Sequence, residues 1–78
     1  MANIIKNTII IRLERYENNL NNAETFWQLN TVYCNFMTFI HEIKTQISDD
    51  KELYNLMIKC LEVFELRLNS LPKPTFIK

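Results

Sequence analysis

Phe26, Leu29, Tyr33, Phe36, Ile40, Ile43 and Ile47 follow one another at spacings that alternate three and four without a miss. An α-helix turns once in 3.6 residues, so this alternation puts all of them on one side of one helix. A strand would need alternation by two. The run predicts a long helix from about Ala23 to Ile47. A stripe this continuous must be covered by other helices along its length.

Candidates to cover it lie on either side. From Asn3 to Leu20, the residues Ile5, Ile9, Leu13, Tyr16 and Leu20 form a second stripe, with Ile4 and Ile11 on its far side and Ile10 off its edge. Ile9-Ile10-Ile11 is β-branched and would also suit a short strand. Arg12 to Asn19 continues the helical period, however, and no other segment offers a strand partner. From about Asp49 to Asn69 two seams run side by side. Tyr54, Met57, Leu61, Phe64, Leu68 and Leu71 make one, and Leu53, Leu56, Cys60 and Val63 the other. Only Asn55, Lys59, Glu62 and Asn69 leave a polar strip, so this helix needs cover on more than one side.

Polar punctuation separates the three. Asn18, Asn19, Asn21 and Asn22 mark the first break, with Asn21 or Asn22 expected to cap the second helix and Glu24 in its first turn. Ser48 marks the second break, expected as the cap before the carboxylates Asp49 and Asp50. Pro72 and Pro74 end the last helix, because neither donates a backbone hydrogen bond.

No glycine occurs among the 78 residues. Folds whose turns need left-handed backbone are thereby excluded, and with them glycine-rich phosphate loops. A chain this long builds one small core. The expected fold is all-α, a three-helix antiparallel bundle forming a single domain over residues 1–71, with a proline-containing tail over 72–78. Phe76 and Ile77 in that tail are apolar enough to fold back. Nine basic and nine acidic residues cancel, which argues against direct nucleic-acid binding. No run approaches the ~20 apolar residues of a membrane span, and Met1-Ala2-Asn3-Ile4-Ile5-Lys6 does not read as a signal peptide. A cytoplasmic protein without membrane contact is expected.

Catalytic constellations are sparse. His41 is the single histidine, and the serines are Ser48 and Ser70. A triad needs nucleophile, base and orienting acid within mutual reach. Ser48 is assigned to a cap, Ser70 precedes the prolines, and consecutive helical residues such as His41 and Glu42 do not face each other. Cys34 and Cys60 lack metal-ligand spacing and are expected as reduced thiols. No enzyme, metal or cofactor is expected.

One surface departs from the ordinary. From Thr25 to His41 no side chain carries a formal charge. Opposite the stripe of the second helix lie Trp27, Thr31, Cys34, Thr38, His41 and Thr45, where a solvated helix would present Lys and Glu. Such a face is one that something covers. The first helix, the third helix or the tail is one candidate; a partner protein is the other. With Ile4 and Ile11 opposite the first stripe, there is more apolar surface than a 78-residue monomer hides, which predicts a homodimer. Trp27 is the expected anchor. By analogy of size with phage-type inhibitors and immunity proteins, the expected function is a non-enzymatic protein-binding module, a regulator or inhibitor of a larger protein.

Ile47-Ser48-Asp49-Asp50-Lys51-Glu52-Leu53, followed by Leu71-Pro72-Lys73, resembles the Hha/YmoA family of small helical nucleoid modulators. The resemblance covers about a third of the chain and implies the alternative function, a transcription or nucleoid modulator that reaches DNA through a DNA-binding partner. Lys59-Cys60-Leu61 and its neighbours stand where that family carries an Asp-His-Arg element, which is missing here.

Overall fold

The computed structural model describes residues 5–71, and every regular element among them is an α-helix: α1 (Lys6–Asn22), α2 (Phe26–Glu42), α3 (Lys44–Asp49) and α4 (Lys51–Ser70). Ile4 and the tail over 72–78, with Phe76 and Ile77, lie outside the described residues. The Ile9-Ile10-Ile11 run is helical.

The connections show how a chain without glycine turns. No described residue has a positive φ. Ala23, Thr25, Asp50 and Leu71 flank the helices in extended conformations, so ends that glycine often closes are closed by β-region residues instead. The caps differ from those expected. Thr25, not Asn21 or Asn22, begins α2: its hydroxyl accepts from Gln28 N–H at 3.1 Å, while the Gln28 amide oxygen accepts from Glu24 N–H at 2.8 Å. This is a variant of the reciprocal capping box, and it leaves Asn21 and Asn22 in the last turn of α1. Asp50, not Ser48, begins α4. Its carboxylate accepts from Glu52 and Leu53 N–H, whereas Ser48 and Asp49 lie within α3. A carboxylate outranks a hydroxyl here because it also complements the positive end of the helix dipole.

The long second helix expected from Ala23 to Ile47 is two helices. At Ile43 (φ −110°, ψ 21°) the backbone N–H is shared between the carbonyls of Phe39 and Ile40, both at 3.2 Å, and Ile47 N–H restarts the ladder on Ile43 at 3.0 Å. Neither Pro nor Gly causes the bend. Packing accounts for it: α3 lies against α4 and α2 but not α1, and the turn keeps Ile43 and Ile47 both buried. The stripe therefore survives the break.

The core consists of Ile9, Leu13 and Leu20 from α1, Leu29, Phe36 and Phe39 from α2, Ile43 and Ile47 at α3, Leu53 and Cys60 from α4, and Ala23. Tyr16 packs edge-on against Phe36 at 5.7 Å, and Tyr33 stacks on Phe64 at 4.0 Å. α1 and α4 run in the same direction. Lys6 meets Asp50 and Glu52 at 3.0 and 2.9 Å, Leu13 meets Cys60, and the Ala23 carbonyl accepts from the Arg67 guanidinium. Ile5 is an exception to its stripe. It is the residue before the first turn of α1 and is 72% exposed, beyond the reach of the neighbouring helices. On α4, Tyr54 and Leu66 are exposed, so cover on more than one side stops short of these two.

Candidate protein-contact surface

The stripe of α2 points into the core, which turns the opposite side of the helix outward. Trp27, Thr31, Cys34, Thr38 and His41 are all exposed there, and Thr45 continues the exposed side into α3. No described helix covers them, so intramolecular cover by α1 or α4 is overturned. The reason is geometric: both helices pack on the stripe side, and one helix cannot be flanked by the same two neighbours on opposite faces.

The face is less polar than its composition reads. The Thr31 hydroxyl donates to the Trp27 carbonyl at 2.9 Å, and the Thr38 hydroxyl to the Cys34 carbonyl at 3.0 Å. With both hydroxyls spent on their own helix, the threonines offer mainly methyl groups. Trp27 is 62% exposed and meets Phe26 edge-on at 5.4 Å, so the indole is steadied from one side and open on the other. Cys34 is an exposed free thiol, unlike Cys60, which is buried and free. Met37 extends the apolar character of the same helix. Ile11 is exposed on α1, opposite that helix's buried stripe.

Beside this face a cleft of about 280 Å³ opens between α1 and α2, lined by Arg12, Tyr16, Asn35, Thr38, Phe39 and Glu42. The Arg12 guanidinium carbon lies 3.9 Å above the centre of the Phe39 ring, and the same group donates to the Tyr16 hydroxyl at 3.3 Å. Stacking and hydrogen bond together hold the cation at the rim. Arg12 is not matched with Glu42 across the cleft: the ion pairs among the described residues join Lys6 to Asp50 and Glu52, and Lys59 to Glu17.

Compared with protein-family models, with curated proteins and with solved structures, the chain shows no match.

The remaining chemistry is dispersed. His41, Ser48 and Asp49 are exposed on α2 and α3, and the Ser70 hydroxyl donates to the Leu66 carbonyl at 2.8 Å. Among the described residues no group of three His, Cys, Asp or Glu is placed to share a metal ion, and no helix is long and apolar enough to cross a membrane. Sequence reasoning missed the Arg12–Phe39 stack and the cleft. A signal was available: Phe39 lies off the regular stripe of α2, on a flank, so that a second helix had to meet it there.

Proposed function

We propose that this chain is a non-enzymatic helical protein-binding module, a small regulator or inhibitor that acts by covering a surface on a larger protein. The observation that carries the reading is the joint exposure of Trp27, Thr31, Cys34, Thr38 and His41 on one uncharged side of α2. A side chain such as Trp27, large, rigid and half open, is the kind that dominates binding energy when a partner closes over it. The scaffold we infer is a three-helix antiparallel bundle in which α2 and α3 form the middle rod. Tyr16 touching Phe36 and Phe39, and Tyr33 stacking on Phe64, support that arrangement. In it the stripe of α2 is locked by packing, so its outer side is displayed on a rigid element.

Capture of partners from the source organism by the tagged chain tests the reading. Thr31→Glu puts one charge in the middle of the face, and Asn69→Glu puts the same charge on an exposed position of α4. The partner is expected to be retained by wild type and Asn69→Glu and lost with Thr31→Glu. Equal retention by both variants overturns the assignment of the face. A DNA-binding protein as the face-dependent partner would make the module a modulator that reaches nucleic acid at second hand.

A further inference from the structure

We propose that the outer face of α2 and the adjoining cleft form a two-fold contact between two copies of this chain, in which Arg12 of each copy pairs with Glu42 of the other. The inference rests on the reading of α2 as a protein-contact face and names its occupant in the free protein. Three observations favour a second copy. In a two-fold contact, residues near the axis meet their own counterparts, so a charge there meets a like charge. From Thr25 to His41 the chain has no formal charge, and the exposed side of α2 can lie on itself without repulsion.

The cleft supplies the second observation. One cation and one anion stand at its rim, Arg12 held only by neutral partners, Phe39 and Tyr16, and neither forms an ion pair with the other or with any described residue. A two-fold axis passing between Arg12 and Glu42 gives each the opposite charge from the second copy, twice over. Size is the third. A helix of 17 residues is about 25 Å long and ~10–12 Å across, well short of the ~800 Å² that each partner contributes to a stable interface. A contact on α2 therefore has to spread across the cleft onto α1, which brings Arg12 and Glu42 into it. The zero net charge of the chain removes any long-range obstacle. Pairing of copies then hides the face until a larger protein displaces one of them.

Sedimentation equilibrium of the purified full chain tests this, with Arg12→Glu and Glu42→Arg as variants. Wild type is expected at twice the 9.4 kDa monomer mass. Each variant alone sets like charges against each other at both pairs and is expected to dimerise at least about tenfold more weakly. An equimolar mixture of the two is expected to dimerise again, because one chain then carries two acids and its mate two bases. Circular dichroism verifies that both variants keep the helical content of wild type; Glu42, exposed and in no ion pair among the described residues, can be exchanged without touching the core. Wild type at 9.4 kDa at every concentration overturns the pairing, as do variants that dimerise like wild type or a mixture that stays monomeric. None of these results bears on capture of a larger protein, which the Thr31→Glu experiment reads separately.

Discussion

The Cys60 thiol donates a hydrogen bond to the carbonyl oxygen of Leu13, Sγ to O 3.3 Å, and so joins the middle of α4 to the middle of α1. Burial pushes this thiol up from its ordinary 9.0 to about 12, the nearby Glu17 carboxylate adding to the effect. The unfolded chain thus releases the proton at lower pH than the folded one. Stability contributed by the neutral thiol is intact below about pH 9 and is lost as pH rises toward about 12. Urea unfolding at about pH 8 and about pH 10.5 is expected to show a larger loss for wild type than for Cys60→Ala. In the folded monomer a thiol reagent is expected to modify Cys34 alone, with Cys60 reacting only on unfolding, and pairing of copies is expected to slow the Cys34 reaction.

Phe36 and Ile40 belong to the same stripe, yet Phe36 is fully buried and Ile40 only half so. Phe36→Ala is expected to cost ~3–5 kcal/mol, and Ile40→Ala no more than ~2 kcal/mol. Equal costs in chemical denaturation would mean that the stripe does not face the core as described.

Capping gives a sharper contrast. Thr25→Ala removes the acceptor for Gln28 N–H and is expected to cost ~1 kcal/mol. Ser48→Ala, at an exposed position inside α3, is expected to stay within ~0.5 kcal/mol. A reversal of that order would restore Ser48 as the cap.

These contrasts mark what the residues themselves disclosed. The helical class and the buried stripe of α2 were readable because a period of three and four has one geometric meaning. The far side of α2 was readable as unusual for the same reason, with charge missing where water should be. The break at Ile43 was not, because it is made by a shared backbone hydrogen bond between ordinary helix formers and by where α4 happens to lie. Competing caps were equally opaque: Asn21, Asn22 and Thr25 are all competent, and only the packed positions of α1 and α2 choose among them. Arg12 over Phe39 depends on the relative rotation of two helices, which neither helix encodes alone.

Lys6 ties the starts of α1 and α4 together through Asp50 and Glu52. Its hydrogen bonds to Glu52 and Asp50 raise the Lys6 pKa above 10.5, and the bond from Lys6 holds Asp50 below its ordinary 3.8. The Asp50 contribution is therefore present above about pH 4 and is lost as pH falls through its lowered folded value. Asp50→Asn keeps a competent cap and removes the charge, while Asp50→Ala removes both. Near pH 7 the expected order of denaturation midpoints is wild type, Asp50→Asn, Asp50→Ala. The gap between the first two is expected to shrink in high salt and in acid.

Trp27 is the one tryptophan of the chain and lies on the face proposed to be covered. Its fluorescence therefore reads that face alone. Acrylamide quenching, measured on the isolated monomer and on the assembled protein, whether paired with its own copy or bound to a captured partner, tests the contact surface most directly. Weaker quenching and a blue-shifted emission are expected on assembly. A Trp27 as accessible in the assembly as in the free chain would contradict it.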